Sequence, residues 1–311
     1  MRYKRLDLNL LVALDVLLNE RSITRAAERL HLSQSATSNA LARLREYFDD
    51  QLLVQVGRRL DLTPRAEGLI EGVRDLLIRI DGTIGSEAEF VPSQSERTFT
   101  VFASDYTQTV LMPHLLALAS AQRCSAHFEF LPLLLNPRRA LERAEADMLV
   151  MPHDFLSPDH PQEVLFRESF VCVVWNGSAL AREELSLQRY LDGQHVVMRP
   201  PGTSQDSFES WFLKRYGMTR KVAVRTYAFA PMISLVVGTD YIATMHERLA
   251  RRLAAAWPVT ILSTPVPMAQ MEQVAQWHEF RSRDPGIVWL RDLLREAVSR
   301  MDAELGVTPP G

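Results

Sequence analysis

Two cysteines, Cys124 and Cys172, are all that this 311-residue chain contains. They are too few and too far apart for a disulfide framework, and neither stands in a CxxC or Cys/His spacing that would hold zinc. A buried apolar role is the default for both. Long hydrophobic runs are also missing. The most apolar early stretch, LNLLVALDVLL, is broken by Asp15, is too short for a bilayer and is followed by no small-residue cleavage site. The chain is therefore expected to be cytoplasmic, with no membrane partner. The motifs of common chemistry are absent as well: no GxSxG, no Walker-type GxxxxGK, no GxGxxG and no HExxH. An enzyme is not expected, nor a cofactor. The densest polar segment, MPHDFLSPDH, carries His153, Asp154, Asp159 and His160. A solvated Pro-rich loop explains it as well as a metal site does, and no metal is expected.

What is present is an ordinary globular composition, 47% hydrophobic and 23% charged, which suits roughly two domains of about 150 residues. The net charge of -3 conceals an asymmetry. Residues 1–65 hold eleven Lys/Arg against eight Asp/Glu, leaving twenty-four against thirty for the remainder. A mildly basic head on an acidic body is consistent with a head that meets phosphate.

In the head, Leu6, Leu10, Leu11, Leu14, Leu17 and Leu18 recur at helical spacing, predicting a helix over 7–20. Ser22 caps a second helix whose Ile23, Ala26, Ala27 and Leu30 face inward. His31-Leu32-Ser33 forms the turn, with Leu32 pinning the corner and Ser33 capping a third helix. Ala36, Ala40, Leu41 and Leu44 make the inner stripe of that helix. Gln34, Ser35, Ser38, Asn39, Ala42 and Arg43 stay outside. This is a helix-turn-helix pattern. The polar cluster Ser33, Gln34, Ser35, Thr37, Ser38 and Asn39 at one end suits base edges in a major groove, with Arg43 and Arg45 on phosphates. A capped surface helix whose serines satisfy only their own first turn is the plainer alternative.

LLVQVGRRLDLTP next reads as a hairpin, with Arg58 and Arg59 at its tip forming a wing that reaches the flanking DNA. Thr63 caps a further helix with Pro64 at its first position, and Thr63 and Arg65 join the expected DNA contacts. Ala66, Leu69, Val73, Leu76, Ile80 and Ile84 form a seam that fits a coiled coil with a second subunit. Packing against the chain's own body is the other reading.

Composition loosens between Ser86 and Glu96, a linker. TFTVFAS, HFEFLPL and DMLVMP then read as strands, separated by helices at Thr107–Ala121 and Arg138–Ala146. A second set, SFVCVVW, HVVM, VAVRTY and YIATM, alternates with helices near Ser207–Tyr216 and Ala230–Val237. Such alternation predicts a parallel sheet covered on both faces. Ligands bind beyond strand ends in open α/β sheets, which points to Ser104, Asp105, Met151 and His153.

The run DLNLLVALDVLLNERSITRAAERLHLSQSATSNALARLREYF, continued through the wing to LTPRAEGL, resembles the LysR-type transcriptional regulators. RLDLNLL, RAEGL and WHEFRSRDPGIVWLRDLL are similar to the branch that includes nodulation-gene and aromatic-catabolism activators. Many members carry proline where Ser35 stands and arginine where Asn39 stands, departures that bear on base preference.

The resemblance implies an α+β chain: a winged helix-turn-helix over 1–63, a dimerising linker helix over 64–90, and two α/β lobes resembling a periplasmic solute-binding protein. Lobe 1 would comprise 97–165 and 266–303, and lobe 2 would comprise 166–265. The chain would cross near Glu163–Arg167 and return near Pro265–Met271, with Ile287–Met301 closing the first lobe. An effector would lie in the cleft, where the second lobe offers Thr203, Phe208, Phe229 and His246. This aromatic, thioether and polar mixture suits a small aromatic ligand bearing a hydroxyl or a carboxylate. The implied partners are double-stranded promoter DNA, RNA polymerase and further copies of the chain, as homodimers assembling to a homotetramer. The implied function is activation of an aromatic-compound catabolic or related operon. The rival is a cytoplasmic small-molecule-binding protein without regulatory DNA binding, and deletion of residues 1–90 separates the two.

Overall fold

A computed structural model of the chain describes residues 6–57, 59–84, 89–133, 136–199 and 207–306, the side chains of Asp81, Thr83, Ile84 and Phe208 excepted. The chain divides into two units, Met1–Ser86 and Glu87–Gly311.

In the first unit, α1 (Leu8–Glu20) is capped by Asp7, whose carboxylate accepts from the Leu10 amide at 2.8 Å. Helices α2 (Ile23–Leu30) and α3 (Gln34–Phe48) follow, capped by Ser22 and Ser33. Between them His31 adopts left-handed backbone at φ 54°, and the Leu32 amide reaches back to the Ala27 carbonyl. This geometry ends α2 and turns the chain. The corner therefore rests on backbone hydrogen bonds rather than on a buried Leu32, which is 48% exposed.

Strands β1 (Leu53–Val56) and β2 (Arg59–Leu62) pair antiparallel as the expected wing. Helix α4 (Pro64–Ile84) then packs on α1, with Arg74 paired to Asp15 at 3.0 Å. Leu10, Leu14, Leu17, Leu41, Leu44 and Leu53 form the core, joined by Ala66 and Val73 of α4. The first part of the seam is thus spent inside the head, while Leu76 is 45% exposed.

The second unit holds two five-stranded sheets. One contains β3 (Thr98–Ala103), β4 (His127–Leu131), β5 (Met148–Pro152), β6 (Gln162–Glu168) and β12 (Met271–Gln276), in the order β4-β3-β5-β12-β6. The other contains β7 (Phe170–Trp175), β8 (Gln194–Met198), β9 (Lys221–Thr226), β10 (Tyr241–His246) and β11 (Val259–Ser263), in the order β11-β7-β10-β8-β9. Within each sheet four strands share one direction and one strand, β12 in the first and β7 in the second, runs against them. An all-parallel sheet was the expectation. In the first sheet the difference arises because β12, the strand by which the chain re-enters the first lobe, pairs antiparallel with both β5 and β6, the strand by which the chain leaves it. A bulge at Leu165 interrupts the pairing of β6 with β12. Residues 163–167 thus belong to β6, and the crossing falls at Ser169, between β6 and β7.

Helices α5 (Asp105–Val110) and α6 (Met112–Ala121) replace the single helix expected over 107–121, broken at Leu111 before Pro113. Helix α7 (Pro137–Glu142) precedes β5, and the second lobe carries α8 (Leu187–Asp192), α9 (Phe208–Arg215), α10 (Met232–Leu235) and α11 (Glu247–Ala254). The closing helix α12 (Pro285–Leu305) starts at Asp284, which accepts from the Gly286 and Ile287 amides and binds Arg97 at 2.7 Å. Arg97 and Arg281 both meet Asp147, at 2.9 and 2.8 Å. A side chain on Gly286 would come within 2.5 Å of the Arg97 Nη1 atom. One apolar cluster runs through both lobes, from Phe99 and Leu115 to Val173 and Met245. Cys172 lies inside the second sheet and Cys124 is half-buried.

Candidate functional site

Two surfaces carry the candidate residues, one in each unit. In the head, the first turn of α3 is built by its own cap: the Ser33 hydroxyl accepts from the Ala36 amide at 3.1 Å and lies 3.0 Å from the Ser35 hydroxyl. Gln34 is exposed and its amide donates to the Thr24 hydroxyl of α2 at 3.2 Å, which orients it across the turn. Ser38 and Asn39 are exposed on the same face.

Thr37 is a correction to the expected set. It is fully buried, its hydroxyl donating to the Ser33 carbonyl one turn back at 3.1 Å. A threonine can satisfy itself this way inside a helix, so Thr37 lies beneath the exposed polar face without being part of it. Arg45 is corrected as well, since its guanidinium donates to the carbonyls of Gln51 at 2.8 Å and Leu53 at 2.7 Å. It anchors the segment before the wing instead of meeting phosphate.

Arg43 is exposed and pairs with Asp7 at 3.2 Å, an exchangeable contact. Arg59 and Arg65 are exposed, and Arg58 lies outside the described residues. Thr63 caps α4 and donates to Asp50 at 2.6 Å. That bond, with the Leu52 amide, holds the Asp50 carboxyl below the usual range.

In the second unit, four of the eight effector candidates lie at the junction of the lobes. Ser104 caps α5 at the end of β3. Asp105 reaches across, and its carboxylate accepts from the Ala230 amide at 2.8 Å. Burial pushes its carboxyl above the usual range, opposed by hydrogen bonds from the amides of Ala230, Phe229 and Tyr106. Phe229 and His246 are buried together, their ring centroids 4.5 Å apart. Burial holds the His246 ring neutral, with its pKa lowered to about 3, and its Nδ1 lacks a hydrogen-bond partner.

Met151 departs from expectation. It lies in the cluster of Phe102, Leu141 and Val274, on the sheet face opposite the one that carries Tyr106, because side chains alternate along a strand. His153 is exposed in a 3-10 turn, and Thr203 and the Phe208 side chain lie outside the described residues. Among the described residues no group of three or more potential metal ligands occurs.

Sequence reasoning overlooked the residues that organise this junction. Tyr106 is fully buried, stacks on His246 with centroids 3.8 Å apart and donates its hydroxyl to Glu168. Glu168, at the end of β6, also accepts from the Ser169 amide at 3.1 Å and lies 3.5 Å from Arg248. Arg248 is buried too, bound to Asp302 of α12 at 2.8 Å and to the Arg167 carbonyl at 2.8 Å. Burial pushes Glu168 up to about 7, with Arg248 and Tyr106 opposing. Gln273 of β12 donates to Thr107 at 2.9 Å and leaves its Oε1 without a partner. Only the position of Tyr106 beside a strand end was visible in the sequence. The charges of Glu168, Arg248 and Asp302 meet over separations that no local pattern records.

Comparison with known proteins bears on both surfaces. A family described as bacterial regulatory helix-turn-helix protein, lysR family, matches residues 8–67. A second, described as LysR substrate binding domain, matches residues 92–299. Nodulation protein D 1 of Rhizobium leguminosarum bv. phaseoli is 40% identical over 301 residues, 97% of this chain and 96% of that protein. Nodulation protein D of Bradyrhizobium sp. (strain ANU 289) is 38% identical over 304 residues, 98% of this chain and 90% of its own. Among solved structures, a probable transcriptional regulator from Pseudomonas aeruginosa is 30% identical with a TM-score of 0.62, covering 94% of this chain and 98% of its own. Full-length BenM, at 17% identity and a TM-score of 0.54 over 98% of this chain and 99% of its own, shares the fold.

Proposed function

The chain belongs to the LysR family of ligand-responsive, DNA-binding transcriptional regulators, and from that premise we propose that it activates an operon concerned with an aromatic compound in response to a small aromatic effector. The observation that carries the DNA side is the exposed polar turn of α3. Gln34, Ser35, Ser38 and Asn39 project from a helix whose Thr37, Leu41 and Leu44 are buried. Such a face suits base edges, where Gln and Asn pair with adenine and Ser with either partner. Arg43, Arg59 and Arg65 then supply phosphate contacts, which position the head without reading sequence.

Two chains pair through α4, whose Leu76 remains exposed after the head has taken Ala66 and Val73. The dimers assemble to a homotetramer whose heads bend promoter DNA and set the access of RNA polymerase. The effector occupies the junction of the lobes near Asp105, Phe229 and His246. Support comes from the convergence of side chains of both lobes there. A ligand shifts the assembly only by binding one lobe arrangement better than another.

Selection from a randomised duplex library with wild-type and Gln34→Ala protein tests the reading face. The variant should lose preference at one base pair, worth about 1–3 kcal/mol. An unchanged selected sequence contradicts the assignment.

A further inference from the structure

Among the described residues, most hydrogen-bond donors at the junction between the lobes are already engaged. The amides of Phe229 and Ala230 face lobe 1 from lobe 2 and would suit a ligand carboxylate. Both donate to the Asp105 carboxylate instead, the Ala230 bond at 2.8 Å. Tyr106 spends its hydroxyl on Glu168. The cation at the junction, Arg248, is engaged by Glu168, Asp302 and the Arg167 carbonyl. The Gln273 amide nitrogen is committed to Thr107. Among the described atoms here, the Gln273 Oε1, the His246 Nδ1 and the Arg248 Nη2 lack hydrogen-bond partners, the last held by its ion pair with Asp302 at 2.8 Å. Asp105 and Glu168 add two acid groups to the same junction, Glu168 fully buried against Tyr106 and Arg248. A second carboxylate entering here would meet Asp105 where it needs donors, and a like charge brought that close is disfavoured in a partly dry site.

We infer that Asp105 is the residue that sets effector specificity, occupying the Phe229 and Ala230 amides itself and so rejecting carboxylate effectors in favour of uncharged ones that donate hydrogen bonds. The inference rests on the proposal that the effector binds between the lobes. It narrows that reading, which the side-chain types alone left open between a hydroxyl and a carboxylate. Substitution by asparagine leaves an oxygen to accept from the Ala230 amide and removes the charge, so Asp105→Asn alters selectivity without dismantling the contact between lobes. Asp105→Ser goes further and frees the amides.

The test uses matched probes, 4-hydroxybenzoate and its methyl ester, together with further acid and ester pairs of hydroxylated benzoates. Binding to the full chain is followed by intrinsic tryptophan fluorescence and calorimetry, and folding is checked by thermal melts. Wild-type protein should bind esters at least tenfold tighter than the acids. Asp105→Asn should bring the ratio below about threefold, and Asp105→Ser should lower it further by a gain in acid affinity. Equal affinity of wild-type protein for acid and ester overturns the inference, as does a ratio indifferent to both substitutions. Phe229→Leu separates this failure from failure of the cleft reading. Ester binding that weakens in Phe229→Leu but ignores Asp105 sinks the inference alone. Ester binding that ignores Phe229, or no ester binding to any form, sinks the cleft reading and the inference with it.

Discussion

Gln34 and Arg45 sit eleven residues apart on one helix and should fail in opposite ways when removed. Gln34 is exposed, so under the proposed reading its loss should change recognition and leave folding alone. Arg45 holds the carbonyls of Gln51 and Leu53. Arg45→Ala should therefore lower the thermal midpoint of the head, while Arg59→Ala should leave it unchanged and reduce the salt slope of DNA binding by about 1. Calorimetric melts and anisotropy titrations separate the two, and a stable Arg45→Ala head with a reduced salt slope would reverse the roles. Periodicity gave Leu41 and Leu44 their burial in advance. It was blind to Thr37, because a polar residue at a helix start reads as exposed until its own back-bond hides it. Met151 failed for a related reason. A strand end names two adjacent residues, and the pleat sends them to opposite faces.

At the level of elements, only the first part of the apolar seam of α4 is used inside the head. Ala66 and Val73 belong to the head core, so the proposed pairing of two chains falls to positions further along, of which Leu76 is 45% exposed. Leu76→Glu should raise the dimer dissociation constant at least tenfold in sedimentation experiments and leave the melting of the head unchanged. A variant as dimeric as wild type would move the interface elsewhere. The seven-residue rhythm was legible in the sequence, but which partner it serves was not, since an apolar stripe is indifferent to the origin of the surface it covers. Strands β6 and β12 show a harder limit. QEVLFRE and MEQVAQ have mixed polarity, and their pairing across more than a hundred residues turns an expected parallel sheet into a mixed one.

Across the whole molecule, the lobes are joined by a buried set, Tyr106, Glu168, Arg248 and Asp302, that no local pattern announced. Removing the cation strands two acids, so Arg248→Met should cost about 3–5 kcal/mol in urea unfolding, and a loss below about 1 kcal/mol would contradict a stabilising role. The pH dependence follows from the same burial. His246, lowered to about 3, and His195, lowered to about 4, bind protons more readily unfolded than folded. Their contribution is complete above the ordinary histidine value near 6.5 and is lost as pH falls towards 4, each by up to about 1.4 kcal/mol per pH unit. Glu168, raised to about 7, acts in the opposite sense, its contribution being complete below the ordinary glutamate value and lost as pH rises towards 7. Stability should thus fall on acidification below 6.5, and Glu168→Gln should steepen that fall in thermal melts between pH 7 and 4.5. A midpoint that rises on acidification would contradict the assignment.

The central claim, that this is a sequence-specific DNA-binding regulator, is tested most directly by fluorescence anisotropy of the purified full chain against its own upstream intergenic duplex and a scrambled duplex over a salt series. Specific binding should exceed non-specific binding by 10³-fold or more, as an order of magnitude, and both should weaken steeply with salt. Equal affinity for the two duplexes at every salt concentration would contradict it.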